Sequence, residues 1–471
     1  MPVDLNKILE QSRKIHFVGV GGSGMYPLVQ ILLAAGHTIS GSDVNEGEIL
    51  DYERRQGVRV MMGQVAENVH GGELVVYSAA IRADNPERLE AERLGIPCVE
   101  RSVMLGYVAS LYRRPLCIAG THGKTTATGM AVQILEMGGH APGAVIGGRL
   151  PLIGGYGQAG QGNDAMVVEA CEYHNTFLEL ASECAVLLNV DDDHLEFFGS
   201  MENLKEAFRS FCRLATGAVL YNGDDANTRE VVAPLLQSGV NSAGEKLSFF
   251  SFGLEEGADF GAINLREHRP GYWAFTLMAG GEAHGEIALG APGKHNVYNA
   301  LAAAAGAMRL GASFEDIERG LAAFSGTGRR FEVLGQVNGV TIADDYAHHP
   351  AEVKAVLTAA KAMEYGRVWA VHQPYTYSRT QSLLEDFAAV LPIADRVVLT
   401  AIMGGRERKE DYNVTTRDLA DKIPGSVWFE TQREAADYVL QNARPGDLVL
   451  TLGCGDIYKC AHMMLGDSTW G

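Results

Sequence analysis

Short apolar runs alternate with longer amphipathic stretches along most of the chain. Near the start, the apolar run Ile15–Val20 is followed by glycines, a helical stretch at 27–35 and a second apolar run at 37–42. The arrangement restarts at Leu116–Ala119, which precedes a glycine-rich turn and a predicted helix at 125–137. Strands that alternate with helices predict a parallel sheet.

The same alternation predicts three domains. Arg113–Pro115 has the character of a linker and the pattern restarts past Gly326, so we expect domains at 1–112, 113–325 and 326–471. Further strands are predicted at 75–77, 165–168, 184–190, 340–343, 368–372, 396–399 and 448–452, with a β-rich extension at 248–252 and 272–277 and a packed helix at 300–308. The predicted fold is α/β, with a Rossmann-like N-terminal domain, a central domain of mostly parallel sheet with a phosphate loop, and a Rossmann-like C-terminal domain.

Charge and cysteine content narrow the functional classes. The 471 residues include 39 basic and 58 acidic ones, a formal net charge of -19, which argues against a nucleic-acid partner. No apolar run reaches the roughly 18 residues that a membrane span needs, so we expect no membrane insertion. The seven cysteines are scattered without a CxxC pair, and the first residues lack the apolar core of a signal peptide, so a reducing cytoplasm is expected.

The glycines after the first predicted strand form a nucleotide-binding fingerprint. Gly19, Gly21 and Gly24 have the spacing G-x-G-x-x-G between a strand and a helix. Glycine allows the backbone to approach a pyrophosphate, and Asp43, at the end of the second strand, could hold a ribose hydroxyl. Taken alone, the fingerprint indicates NAD, and a tight turn without a ligand is the alternative.

A second glycine loop is the strongest chemical signal. It follows the strand that ends at Ala119 and opens the next helix, and it reads Gly120, Thr121, His122, Gly123, Lys124, Thr125 and Thr126. Backbone N–H groups in such a loop bind phosphates, the lysine reaches the β- and γ-phosphates, and the hydroxyl of Thr125 can hold Mg²⁺. The loop is two residues shorter than the general phosphate loop, which is a departure from that motif.

Two further residues are candidates for the metal site. Glu169 ends the predicted strand at 165–168, where phosphate-loop enzymes place a magnesium-binding acid. His194 follows three aspartates after the strand at 184–190. Because Mg²⁺ prefers oxygen ligands, a structural role for His194 remains open on spacing alone.

Blocks of sequence resembling the Mur ligase family occur in order along essentially the whole chain. They are His16–Met25, Gly120–Thr126, Glu169–Tyr173, Asp193–His194, Gly293–Asn299, Arg329–Phe331, Asp344–Pro350, Gln373–Thr380 and Gly453–Ile457. Within the family, the nearest resemblance is to the branch that adds alanine. It implies an ATP-dependent ligase that joins L-alanine to UDP-N-acetylmuramate through an acyl phosphate, with ATP and Mg²⁺.

The resemblance also implies roles for individual residues. UDP-sugar binding is expected at Gly21, Gly22, Ser23, Gly24, Met25, Ser42, Asp43 and Ser78, rather than NAD binding. Besides the Gly120 loop, ATP contacts are expected at His295, Asn296, Asn299, Arg330 and Asp345; the alternative for the His295 group is a helix cap followed by a core helix. The metal would lie at Thr125, Glu169 and His194.

The C-terminal domain is expected to bind the amino acid. Arg379 could clamp the alanine carboxylate, and His348 could assist proton movement from the amine, so Lys124, His348 and Arg379 are the predicted catalytic residues. Tyr375 and Thr376 stand where the family often has His-Arg, which puts one basic contact in doubt. The related ligases often use a modified lysine as a metal ligand, and Lys205 does not stand in a matching pattern.

Three alternatives stay open at this stage. One is a relative in the same family that attaches a recycled tripeptide to the same sugar. Another is an NAD-dependent oxidoreductase, which has no use for a lysine–threonine phosphate loop. The third is a non-catalytic nucleotide-binding module. The sequence does not decide the oligomeric state, for which monomer or homodimer is the expectation.

Overall fold

Three β-sheets with helices between their strands make up the fold. The structure is a computed structural model that describes residues 5–405 and 407–467. Each sheet is the centre of one α/β domain, so the predicted fold class is confirmed. By packing, the chain forms two compact units: the first runs through Ile263 and includes Thr276–Glu286 and Tyr298–Leu321, and the second comprises Asn264–Phe275, Ile287–Val297 and the chain from Ala322 onward.

The N-terminal sheet is parallel and has five strands, in the order β3-β2-β1-β4-β5. Its elements are α1 (Leu5–Gln11), β1 (Lys14–Val18), α2 (Tyr26–Ala34), β2 (Thr38–Asp43), α3 (Glu48–Arg55), β3 (Arg59–Met62), β4 (Leu74–Tyr77), α4 (Pro86–Leu94), β5 (Cys98–Glu100) and α5 (Arg101–Ser110). The strand order reverses between β1 and β4, and a crevice at such a switch point is where open α/β sheets bind ligands. The fingerprint glycines follow β1 at this point.

The central sheet has ten strands, in the order β15-β14-β13-β12-β11-β10-β6-β9-β7-β8. Its strands are β6 (Arg114–Ala119), β7 (Gly143–Leu150), β8 (Gly155–Gln158), β9 (Ala165–Glu169), β10 (Cys184–Leu187), β11 (Ala218–Asn222), β12 (Ser248–Gly253), β13 (Phe260–Arg269), β14 (Tyr272–Ala279) and β15 (Glu282–Ala288). Its helices are α6 (Lys124–Met137), α7 (Leu195–Phe198), α8 (Met201–Arg213), α9 (Ala226–Ser238), α10 (His295–Arg309) and α11 (Phe314–Ala323). Because β6 pairs in parallel with both β9 and β10, the loops that follow these three strands meet at one edge.

The C-terminal sheet has six strands, in the order β16-β17-β21-β18-β19-β20, and only β16 runs antiparallel. Its elements are β16 (Glu332–Val337), β17 (Val340–Asp345), α12 (Pro350–Ala362), β18 (Val368–His372), α13 (Tyr377–Ser382), α14 (Leu384–Val390), β19 (Arg396–Thr400), α15 (Thr416–Asp421), β20 (Val427–Phe429), α16 (Gln432–Asn442), β21 (Leu448–Leu452) and α17 (Tyr458–Met464). Apolar clusters cover both faces of this sheet, as expected of parallel strands that are buried on two sides.

The predicted strands are present, with small differences at their ends. The run predicted at 15–20 ends as a strand at Val18 because Gly19 turns the chain with a positive φ of 81°. The segments at 248–252 and 272–277 are strands of the central sheet, as the expected β-rich extension requires. The predicted domain borders stay predictions. Among the described residues, no helix combines the length and the apolar character needed to cross a membrane.

Candidate functional site

The glycine loop after β6 is shaped by two left-handed residues. Gly120 has a φ of 148° and Gly123, at the N-cap of α6, has a φ of 83°. A Cβ atom at Gly123 would lie 2.4 Å from Oδ1 of Asn299, so a side chain has no room there. The loop therefore presents backbone N–H groups at the start of a 14-residue helix, where the helix dipole favours anions.

Lys124 folds back onto its own loop. Its Nζ donates to the carbonyl oxygen of Gly120 at 2.5 Å and to that of Thr121 at 3.0 Å, and it forms an ion pair with Glu172 at 2.9 Å. The three donors of the ammonium are thus occupied within the loop and by one carboxylate. Burial disfavours the ammonium, but the Glu172 carboxylate outweighs it, and the pKa of Lys124 lies above its ordinary value.

Thr125 and Glu169 meet at the end of β9. The Thr125 hydroxyl donates to Oε1 of Glu169 at 3.0 Å, and the other oxygen of Glu169 accepts the Gly147 N–H at 2.6 Å. A hydroxyl and a carboxylate are the hard oxygen ligands that Mg²⁺ prefers, so this pair fits the ion. His194 lies on the loop after β10, where Asp193 accepts its N–H at 2.9 Å and its ring lies 4.6 Å from that of Tyr173.

Asn189, on the loop that follows β10, holds the glycine loop with two hydrogen bonds. Its Oδ1 accepts the His122 N–H at 2.8 Å and its Nδ2 donates to the His122 carbonyl at 3.0 Å. The His122 ring lies 3.2 Å from a carboxylate oxygen of Asp191, and the Asp191 N–H donates to the Thr121 hydroxyl at 2.9 Å. The two strand ends thus hold the backbone of the loop in a fixed shape.

The N-terminal glycine loop is tied to the predicted ribose acid. The Gly21 N–H donates to Oδ2 of Asp43 at 2.9 Å, and a Cβ atom at Gly24 would lie 3.2 Å from a guanidinium nitrogen of Arg101. Ser42 is fully buried and donates to Glu87 at 2.6 Å. In this structure the Ser42 hydroxyl is therefore used inside the domain rather than at its surface.

The remaining predicted residues of this loop lie at the switch point. Gly22, Ser23 and Met25 lead into α2, with Met25 buried at its N-cap. Ser78 follows β4, and its hydroxyl accepts the Ala80 N–H at 3.3 Å. Gly21–Met25 and Ser78 therefore occupy the two loops on either side of the reversal in strand order, and Ser42 and Asp43 end the adjoining strand β2.

The loop after β17 forms a separate group in the second unit. Asp345 is buried and accepts the N–H groups of Phe331 and Ala347, each at 2.7 Å. Burial raises the pKa of Asp345 to about 6, although the positive charge of Arg330 opposes the rise. Arg330 also lies 4.0 Å from Glu352.

Two histidines and an arginine complete this group. Nδ1 of His348 lies 3.0 Å from the Tyr346 carbonyl oxygen, and His349 is the N-cap of α12. Burial raises the pKa of the Cys454 thiol to about 12, although the positive charge of Arg379, in α13, opposes the rise. Of the predicted residues, His348 and Arg379 thus belong to the same domain as Asp345.

The expected adenine residues all lie in the first two turns of α10 and differ in exposure. His295 is exposed in the first turn of α10, and Asn296 donates to the Pro292 carbonyl at 2.6 Å. Asn299 is buried beside Gly123. Thr126 lies partly exposed in the first turn of α6.

Three residues with a place in these sites were not among those predicted. Glu172 neutralises Lys124, Asn189 braces the loop, and Arg101 brings a positive charge to Gly24. Glu172 stands three residues after Glu169, in the block Glu169–Tyr173 that resembles the Mur ligase family. Its acidic side chain in that block could have identified it from the sequence. Asn189 and Arg101 act through contacts between elements distant in sequence, for which a single sequence has no local signal.

Family models match three successive parts of the chain. The model described as "Mur ligase family, catalytic domain" matches residues 14–113, "Mur ligase middle domain" matches 118–307, and "Mur ligase, glutamate ligase domain" matches 329–455. Together they cover most of the chain.

Curated relatives and solved structures agree with these matches. The UDP-N-acetylmuramate–L-alanine ligase of Caldanaerobacter subterraneus is 40% identical over 98% of this chain and 99% of its own, and that of Acetivibrio thermocellus is 38% identical over 97% and 96%. The crystal structure of the corresponding alanine ligase from Thermotoga maritima has a TM-score of 0.81 at 25% identity, over 97% of this chain and 99% of that one. A murein peptide ligase from Psychrobacter arcticus shares the fold, with a TM-score of 0.74 at 22% identity, over 97% and 98% of the two chains.

Proposed function

Since the chain belongs to the Mur ligase family, we propose that it joins L-alanine to the lactyl carboxylate of UDP-N-acetylmuramate with ATP, in peptidoglycan precursor synthesis. It is an ATP-dependent ligase. The observation that carries the proposal is the loop in which Lys124 and Thr125 stand beside Glu172 and Glu169, in a chain whose relatives share this activity by name over their full length.

The carboxylate substrate explains why a phosphate loop is needed. An amine does not displace oxide from a carboxylate anion, so the γ-phosphoryl group of ATP is first transferred to that oxygen, which leaves ADP and an acyl phosphate. The amine then attacks the acyl carbon, the tetrahedral intermediate loses inorganic phosphate, and the amide forms. Most of the rate in phosphoryl transfer comes from positioning and charge neutralisation.

Lys124 is the residue that neutralises the moving phosphoryl group. Its ammonium is already held at the mouth of the loop by Glu172, and a phosphate can take the place of that carboxylate. The N–H groups from Gly120 to Thr126 bind the β- and γ-phosphates, and Asn189 keeps that backbone fixed before ATP arrives.

Thr125, Glu169 and His194 are proposed to hold Mg²⁺. The hydroxyl and the carboxylate already lie 3.0 Å apart, and His194 lies on the adjoining loop. When bound, the ion adds positive charge to the phosphates and lowers the barrier to transfer. Glu169 is held for this task by its second oxygen, which accepts the Gly147 N–H.

The other two substrates are assigned to separate loops. The UDP-sugar is proposed at Gly21–Met25, with Asp43 and Ser78 beside it, and Arg101 as an additional positive charge for its pyrophosphate. Adenine is proposed at His295, Asn296 and Asn299, with Arg330 and Asp345 as further ATP contacts.

L-Alanine is proposed to bind at the loop after β17. Arg379 supplies two aligned donors for the amino-acid carboxylate, and His348 accepts a proton from the attacking amine. All seven cysteines are free thiols in the structure, which suits a cytoplasmic site for this ATP-consuming reaction.

Phosphate release tests the proposal. The chain is incubated with UDP-N-acetylmuramate, ATP and Mg²⁺, and each of the twenty amino acids or the recycled tripeptide is added in turn. We expect release with L-alanine and a product heavier than the sugar nucleotide by one alanyl group. Release with the tripeptide and none with alanine would instead assign the chain to the peptide-recycling branch.

A further inference from the structure

Arg329 joins the carboxyl ends of two neighbouring strands. Its guanidinium donates from Nε to Asp344 at 2.8 Å, from Nη1 to the Gly455 carbonyl at 3.0 Å and from Nη2 to the Gly453 carbonyl at 2.7 Å. Asp344 belongs to β17 and the two glycines follow β21. One side chain therefore bridges the loops that leave both strands.

The surroundings of Arg329 fix its backbone as well as its side chain. Its N–H donates to Glu332 at 2.8 Å, and its carbonyl accepts the Tyr346 N–H at 2.7 Å. The guanidinium lies 5.0 Å from the ring centroid of Tyr346 and 4.7 Å from that of Tyr458. Its φ of 59° is one that residues with a Cβ atom rarely adopt, and such a conformation persists only where neighbouring contacts impose it.

The bridged loop is the one on which the amino-acid site is proposed. Asp344 is followed directly by Asp345 and Tyr346, and Nδ1 of His348 lies 3.0 Å from the Tyr346 carbonyl oxygen. A displacement of Tyr346 is thus passed on to the ring of His348.

We propose that Arg329 is a positioning residue for the amino-acid site. It shapes that site by fixing the loop after β17 against the loop after β21. The inference rests on the proposed function only in naming L-alanine as the ligand. A guanidinium suits this position because its planar fork reaches Asp344, Gly453 and Gly455 from three separate nitrogens, whereas all donors of an ammonium leave one nitrogen.

Arg367 provides a matched control in the same domain. It donates to Asp447 at 2.6 Å and to the Asn442 carbonyl at 3.1 Å, and it lies 5.3 Å from the Trp369 ring. Its side chain is 23% exposed against 26% for Arg329, and each partner carboxylate is almost fully buried. Because Arg367 is at the amino ends of β18 and β21, it lies at the opposite edge of the sheet from the proposed site.

The experiment compares Arg329→Lys with Arg367→Lys by steady-state kinetics. We expect Arg329→Lys to lower kcat/KM for alanine about 100-fold, with the larger share in KM, since an ångström of misplacement costs about that much. The KM for the UDP-sugar should not change, and the KM for ATP should rise less than that for alanine, because the proposed ATP contacts Arg330 and Asp345 adjoin the same loop. Arg367→Lys should leave all three unchanged.

Cys454 gives a second readout that does not depend on activity. This partly exposed thiol lies between the two glycines whose carbonyls Arg329 holds, and lysine keeps the local charge. Its alkylation by iodoacetamide, followed by peptide mass spectrometry, should be faster in Arg329→Lys than in the wild type and unchanged in Arg367→Lys. Should Arg329→Lys fail to fold, Asp344→Asn is used for both measurements, with smaller changes in the same direction.

The inference is overturned if alanine kinetics and the Cys454 rate stay at wild-type values in the folded variant, or if Arg367→Lys changes them equally. A wild-type enzyme that does not use alanine would contradict the proposed function instead. The Cys454 rates would then still decide whether Arg329 fixes the loop.

Discussion

Because Lys124 is paired with Glu172, its role in phosphoryl transfer can be tested separately from its contribution to stability. Lys124→Ala should lower phosphate release by roughly 100- to 1,000-fold or more, because the charge on the moving phosphoryl group is no longer neutralised. Binding of the UDP-sugar, measured by calorimetry, should be nearly unchanged because its proposed loop lies in another domain.

A double variant provides the control for this prediction. Lys124→Ala leaves the Glu172 carboxylate buried without its partner, which should cost about 3 kcal/mol of stability. Adding Glu172→Gln should recover most of the thermal stability and none of the activity. Phosphate release at the wild-type rate in either variant would remove Lys124 from the mechanism.

Arg379 is proposed to bind the alanine carboxylate because its guanidinium offers two aligned N–H donors. Arg379→Lys keeps the charge and loses the second aligned donor, so the KM for alanine should rise by roughly 10- to 100-fold while the KM for ATP is kept. Initial rates are measured with each substrate varied in turn. A change in the KM of the UDP-sugar or of ATP, with that of alanine unaffected, would place Arg379 at a different ligand.

At the scale of elements, the turn into α6 depends on glycine at one position. Gly123→Ala introduces a Cβ atom 2.4 Å from Oδ1 of Asn299 at a φ of 83°. The substitution adds conformational strain of about 1–2 kcal/mol and also forces the loop to shift. The free energy of ATP binding should therefore be weakened by more than the free energy of unfolding is lowered. Gly139→Ala, just after the other end of the same helix, is the control, since its φ is 77° and its Cβ atom would meet nothing within 4 Å. It should lower the melting temperature without changing the Kd of ATP.

Element by element, the sequence predicted what local pattern determines. The strand before the Gly120 loop and the helix after it were located to within two residues, because buried apolar runs and glycines mark those points. The short strands β3 and β5 were not predicted, because neither is a run of consecutive buried residues like the equally short β4. The role of Asn189 was not predicted for a different reason, because it arises from the pairing of β10 with β6, two strands that are distant in sequence.

At the scale of the whole molecule, a buried acid should make stability depend on pH. Glu53 is fully buried, its side-chain oxygens have no hydrogen-bond partner among the described residues, and burial raises its pKa to about 8. Between the ordinary pKa near 4.5 and about 8, the folded chain binds a proton that the unfolded chain has lost. Stability should therefore fall as pH rises through that window, by up to about 4 kcal/mol, and level off above it.

Glu53→Gln should remove most of this dependence and make the protein more stable than the wild type above pH 8. Urea unfolding at pH 6, 7, 8 and 9 measures it. Glu46→Gln serves as the control because Glu46 is exposed and paired with Arg54. In this variant, the free energy of unfolding should change with pH as it does in the wild type. An unchanged slope in Glu53→Gln would mean that this carboxyl is ionised throughout.

The folded-back lysine of the phosphate loop has a consequence for inhibitor design. An amine attacks an electrophile only as the free base, and Glu172 keeps Lys124 as the ammonium. Amine-directed warheads such as sulfonyl fluorides should therefore label the exposed lysines of this protein long before they reach Lys124. A compound aimed at this loop should carry an anion that competes with Glu172 for the lysine. An electrophile that reacts only with the neutral amine is less suitable.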